Sequence, residues 1–249
     1  MMQFLNQYSK FIANFFLGLL LSIAPTVWAG YNPPQDQKTA STYTRTNSAG
    51  TRGSCNPGNV EEIAPTLLAS EYYVGKTLST HPTFAWFIGN SQPLPVRFIL
   101  YGFDADEQLV EVKKVDLEST QGITKFSPLN NHNSGLEVGK QYLWQIALFC
   151  QPGSLSSAIF KRASFEIVET PVQLSEKLAL AQDSTTKSEL YGAEGLWYDA
   201  LAEALQLAPE SKLGELGATL VEDLAESESE VEERERLEQL KKIASEWEF

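Results

Sequence analysis

The chain has only two imidazoles that could exchange protons near neutral pH, His81 and His132. His81 precedes Pro82 and reads as a turn residue at a strand start, while His132 sits in the polar run Asn130-Asn131-His132-Asn133-Ser134-Gly135. A Ser-His-Asp relay would need a sharply presented serine, and no Gly-x-Ser-x-Gly turn supplies one. The carboxylates of Asp104-Ala105-Asp106-Glu107 could offer oxygens to Ca²⁺, but the ligand spacing of a calcium loop is missing, so a charged hairpin turn is expected. No Gly-rich phosphate loop and no His-Glu-x-x-His pattern occurs. The expectation is therefore no catalytic residue, no metal ligand and no cofactor.

The other reactive side chains are Cys55 and Cys150. Neither has a second Cys or a His at metal-ligand spacing, so their chemistry depends on the compartment. That compartment is indicated at the start of the chain. Lys10 precedes the apolar run Phe11 to Ala24, a breaker at Pro25 follows, and Val27-Trp28-Ala29 ends on small residues at both positions that a signal peptidase reads. A run of about fourteen residues is short for a membrane span of roughly 30 Å. Residues 1–29 are thus expected to be a cleaved export signal, with a retained anchor as the alternative and no integral segment after cleavage. In an oxidising compartment Cys55 and Cys150 form a single structural disulfide, worth up to about 4.7 kcal/mol in the chain-entropy account.

The net charge is −13, and −14 once Lys10 leaves, since 32 acidic residues then face 18 basic ones. Such a surface repels phosphate backbones, so nucleic acid is not an expected partner. Apolar residues make up 43% of the chain, enough for a sizeable core.

These side chains have to be positioned by elements of two kinds. Residues 30–60 lack apolar periodicity and read as an extended lead-in, mobile until Cys55. From Thr83 to Glu169 short β-rich runs alternate with turns: Thr83–Ile88, Val96–Tyr101 paired with Gln108–Val115, Ile123–Phe126, Gln141–Phe149 and Ala163–Val168. The Leu136-x-x-Gly139-x-x-Tyr142-x-Trp144 stretch resembles the tyrosine corner of immunoglobulin-like and fibronectin type III sandwiches. Pro82-Thr83-Phe84-Ala85-Trp86 resembles an early strand of the same folds, although the cysteines do not fall where antibody domains place their bridge.

Beyond Glu169 the period becomes helical. Thr170 with Pro171 and Gln173 opens a short helix, and Thr186-Lys187-Ser188-Glu189 reads as a capping box leading into Leu190–Leu205, broken into two antiparallel helices at Gly195. The spacing of Tyr191, Gly195, Ala200 and Pro209 is related to a tetratricopeptide unit, but no second copy follows. Leu213–Leu224 makes a third helix. Trp197 and Tyr198 could pack inward or stand exposed as a partner anchor. The acidic stretch from Glu226 reads as a solvated, frayed helix held by Glu230/Arg234 and Glu232/Arg236 pairs.

Taken in order, Arg52-Gly53-Ser54-Cys55, Pro82-Thr83-Phe84, the Leu136–Trp144 corner, Cys150 and the Leu190–Leu201 helix resemble the cyanobacterial domain-of-unknown-function family 928 over about residues 50–224. The resemblance implies an exported protein with no assigned activity. The expected architecture is α+β, an immunoglobulin/fibronectin III-like antiparallel β-sandwich followed by a C-terminal α-helical hairpin. Its divisions are 1–29 signal, 30–60 lead-in, 61–169 sandwich, 170–225 helical and 226–249 acidic tail. The expected role is a non-catalytic interaction or scaffolding module for another envelope or secreted protein, in the periplasm, the extracellular space or the thylakoid lumen. The alternatives are an exported hydrolase with a site on the sandwich loops, or a carbohydrate- or Ca²⁺-binding module.

Overall fold

The computed structural model describes residues 30–34, 38–40, 64–129, 134–151, 158–228 and 234–249. The leader, Cys55, His132 and the Glu230/Arg234 and Glu232/Arg236 pairs fall wholly or partly outside them. Among the described residues eight strands precede five helices: β1 Thr66–Leu67, β2 Gly75–Thr77, β3 Phe84–Ile88, β4 Pro95–Phe103, β5 Leu109–Glu118, β6 Gly122–Phe126, β7 Gln141–Phe149 and β8 Ala158–Ile167, then α1 Val172–Leu180, α2 Ser184–Ala193, α3 Trp197–Leu207, α4 Gly214–Glu228 and α5 Arg234–Glu246. The chain is therefore a mixed α+β fold with two sheets, ordered β1-β3-β6 and β2-β8-β7-β4-β5. Among the described strands every pairing is antiparallel except β2 with β8, so the expected antiparallel arrangement is corrected at that edge, where the three residues of β2 run parallel to β8.

Alternation decides which side chains meet between the sheets. Along β7, Tyr142, Trp144, Ile146 and Leu148 share one face and join the main core. The opposite face is buried too, in a small cluster around Ala147 and Phe149 capped by the Arg97 guanidinium 5.4 Å from the Phe149 ring. Phe84 of β3 is the centre of the main core. Its ring lies 5.0 Å from Trp144, 5.2 Å from Phe98 and 5.3 Å from Phe165, so one residue of the smaller sheet touches three strands of the larger. At the expected corner the Glu137 N–H donates to the Tyr142 hydroxyl at 2.9 Å while the Tyr142 ring stacks on Phe165.

The helices differ from expectation in three ways. α2 begins at Ser184 because the Asp183 carboxylate accepts both the N–H and the hydroxyl of Thr186, at 2.8 and 2.9 Å. Asp183 is thus the cap, and Thr186 lies inside the first turn. Pro171 is extended, so α1 starts one residue later than a helical Pro171 would place it. The tail is not a solvated, frayed helix: Arg236, Leu240, Ile243 and Ala244, repeating at helical spacing, are buried in α5.

The helical region is likewise not an appendage, because a single hydrophobic cluster runs from the sheets through α3, α4 and α5. The lead-in residues that are described are held as well, not mobile. Tyr31 is buried and donates its N–H to Asp223 at 2.7 Å, Asn32 donates to the Gly192 carbonyl, and Thr39 bridges Tyr73.

Candidate functional site

Gly195 takes φ 71°, the left-handed region that glycine enters without a steric penalty, and so turns α2 back into α3. That turn delivers the aromatic pair at the start of α3 to both sheets. Trp197 donates its indole N–H to the Leu68 carbonyl after β1 at 2.8 Å, and Tyr198 accepts from the Trp144 indole of β7 at 3.0 Å. The two residues are 1% and 2% exposed. Of the two readings that the sequence leaves open, Trp197 and Tyr198 take the inward one and do not stand exposed as a partner anchor, each ring finding its polar partner inside the core. Gly75 on β2 is required by the same contact, since a Cβ there would lie 2.7 Å from the Tyr198 ring.

What the pair brings to the surface is its neighbour. Asp199, one residue on, faces a cleft of about 220 Å³ between α2/α3 and the β2–β3 connection. Thr77, Ser79 and His81 line one wall, and Tyr191, Asp199 and Glu203 the other. Asp199 and Glu203 are four apart on α3 and so share a face.

Asp199 is 9% exposed. Burial pushes its carboxyl up to about 6, although the Leu78 N–H at 2.9 Å and the Thr77 hydroxyl favour the charged form. Burial also raises the Tyr191 phenol, and the charges of Asp199 and Glu203 add to the rise.

Ser79 Oγ accepts from the His81 backbone N–H at 3.1 Å, and Asp199 accepts from Leu78. The imidazole Nδ1 lies 3.0 Å from the hydroxyl of adjacent Thr80, whose side chain is packed under the Gly135 backbone. The Leu78–Asp199 bond holds the β2–β3 connection against α3, while the other two lie within the connection, and together they leave a concave surface that carries hydrogen-bond acceptors. Such a surface can receive donor groups. At the β4–β5 turn Asp104 Oδ1 accepts from Asp106 and Gln108 at 2.9 and 2.8 Å, so its carboxylate closes the hairpin. Among the described residues no three His, Cys, Asp or Glu side chains are grouped as metal ligands would be.

Of the site residues expected from sequence, Leu136, Gly139, Tyr142 and Trp144 belong to the corner and the core beneath it. Cys150 follows β7 directly, and no described cysteine is a free thiol. His81 reaches the cleft. The sequence marks Tyr191 only through its repeat-like spacing and gives no motif for Glu203, whereas Asp199, a carboxylate inside the apolar run Trp197-Tyr198-Asp199-Ala200-Leu201, is a visible signal.

Residues 47–228 match the family described as Domain of Unknown Function (DUF928). No curated protein matches the chain.

Proposed function

Because the chain belongs to the DUF928 family, for which no activity is defined, we propose a function from its geometry: an exported, non-catalytic interaction module that binds a donor-bearing group of an envelope or secreted protein in the α2/α3 cleft. The observation that carries this reading is the convergence of Tyr191, Asp199 and Glu203, all on the helical hairpin, onto one concave surface whose serine and histidine are engaged in holding their own loop. The scaffold is an immunoglobulin-like sandwich on this reading. The strand order, the parallel β2–β8 edge and the tyrosine hydroxyl bonded back to the chain before β7 support it.

Export rests on the leader motif, cyanobacterial origin on the family resemblance, and the Cys55–Cys150 bridge on the compartment. Protein recovered from the periplasm or medium should start at Gly30 and resist thiol alkylation until reduced. An intact leader, or two thiols that label without reductant, overturns those parts.

The binding role is tested in a deletion strain rescued with variants whose folding is verified by circular dichroism. Glu203→Lys, which reverses charge at the lip of the cleft, should lose both partner capture and rescue, while His81→Ala keeps both. The reverse pattern, with His81→Ala failing and Glu203→Lys rescuing, replaces this reading with the hydrolase.

A further inference from the structure

We propose that cleavage after Ala29 completes the fold: the α-ammonium created on Gly30 pairs with Asp223 of α4 and latches residues 30–34 as a strap across the α2–α3 turn. The proposal rests on reading residues 1–29 as a cleaved export signal, and its site is separate from the cleft. The strap is seated residue by residue. The Tyr31 N–H donates to Asp223 Oδ2 at 2.7 Å, the Tyr31 ring meets Trp197 edge-on at 4.9 Å, and the Asn32 N–H donates to the Gly192 carbonyl at 3.0 Å. Two glycines make room for it. A Cβ at Gly192 would lie 2.9 Å from the Gly30 carbonyl oxygen, and one at Gly195 would lie 2.6 Å from the Pro34 ring. Gly30 is thus held against the last turn of α2, and its nitrogen is at most about 3.6 Å from the Tyr31 nitrogen that Asp223 already receives.

In the uncleaved chain the Gly30 nitrogen is a neutral amide; after cleavage it is an ammonium with an ordinary pKa of about 8. Its surroundings are negative. Burial raises the Asp223 carboxyl, the Tyr31 N–H lowers it, and the charges of Glu226 and Glu222 raise it again. No ion pair joins any of these three to a lysine or arginine among the described residues. From α2 the strap meets the carbonyl end of the helix, which is electronegative and has no basic residue in its last turn. Glu189, one turn before Gly192, and Glu194, just past the helix, add the same sign. α3 meets the strap with the Trp197 ring, while Glu228 acts on the Tyr31 hydroxyl at the far end of that side chain. Rotation about the Gly30 ψ, which no side chain hinders, lets the ammonium and the Tyr31 N–H share the Asp223 carboxylate. A retained leader replaces that charge with an amide bond to Ala29. Because the strap lies on the turn that starts α3, its closure finishes the hairpin that carries the cleft.

The test uses residues 30–249 released from a fusion by a protease that cuts before Gly30. The terminus is titrated by NMR in protein grown on ¹³C-glycine, where the Gly30 signal is the one that stops titrating when Trp28-Ala29 is left in front. Its pKa should lie at about 8.5 or above and return to about 8 in Asp223→Asn, which can still accept from Tyr31 but has lost the charge. A terminus whose folded value exceeds its unfolded one stabilises the fold below about pH 8, and that contribution is lost as pH rises through the folded value. The urea midpoint should therefore fall further between about pH 7 and pH 10 in the wild type than in Asp223→Asn. Leaving Trp28-Ala29 in front should lower the midpoint of the wild type at pH 7 and leave that of Asp223→Asn unchanged. An ordinary value at Gly30, a value that Asp223→Asn does not alter, or an extension that costs both proteins equally would each overturn the latch. Sequencing the terminus of protein recovered from cells separates the two readings. An intact leader overturns cleavage and the proposal with it; a chain that starts at Gly30 but titrates at the ordinary value overturns the proposal alone.

Discussion

Asp199 loses more to burial than its hydrogen bonds return, which is why its carboxyl titrates near 6. A folded-state value raised above the usual carboxylate range means that the fold prefers the protonated form. The resulting contribution to stability is fully present below about pH 4 and is lost as pH rises through about 6. At pH 7.5 the charged form therefore costs about 2 to 3 kcal/mol. Asparagine is nearly isosteric and can still accept from Leu78, so Asp199→Asn should raise the stability measured by urea denaturation at pH 7.5, with the gain shrinking toward zero at pH 4. A variant no more stable than the wild type at pH 7.5 would show that the ionised carboxylate holds the β2–β3 connection more strongly than desolvation opposes it.

Elements were legible wherever their pattern was local. β3 through β7 follow from alternating or continuous apolar runs bounded by turn residues, and the Gly195 break follows from glycine's freedom at positive φ. β1 and β2 escaped because strands of two and three residues carry no period to read. The α2 boundary was misjudged because two capping signals overlap, and Asp183, with two bonds to Thr186, wins over Thr186 itself. The cleft as a juxtaposition was not legible, although the carboxylate of Asp199 inside an apolar run was. Its walls are Thr77–His81 and Tyr191–Glu203, more than a hundred residues apart in sequence, and only the seating of Trp197 and Tyr198 in the core turns Asp199 toward the loop. For the corner, where a local motif did carry the information, Tyr142→Phe should keep the fold and lower stability by about 1 to 2 kcal/mol, through loss of the bond from Glu137. An unchanged urea midpoint would mean that the hydroxyl does not stabilise the β7 corner.

Across the whole molecule, a buried cation joins segments far apart in the chain. Arg236 of α5 donates to Glu228 at 3.0 Å, to Glu71 at 3.0 Å and to the Ala69 carbonyl at 2.7 Å, linking α5 to α4 and to the segment after β1. Burial opposes the guanidinium charge, but Glu228 and Glu71 outweigh it and hold its pKa above the ordinary value. Sequence alone paired Arg236 with Glu232 one turn away, because helical spacing is visible in a chain and a contact with Glu71 is not. The family match stops at Glu228, the residue whose charge Arg236 answers from outside it. Glu228 is 0% exposed, and its second oxygen has no hydrogen-bond partner among the described residues. Removing Arg236 alone would strand that carboxylate in the core, a loss of about 3 to 5 kcal/mol for a buried pair broken on one side. Arg236→Met should therefore unfold at much lower urea than the wild type. The double variant Arg236→Met/Glu228→Gln should regain most of the loss, because the charge that needed an answer is gone. If the double variant is as unstable as the single one, the ion pair is not what fastens α5, and the packing of Leu240, Ile243 and Ala244 carries that role.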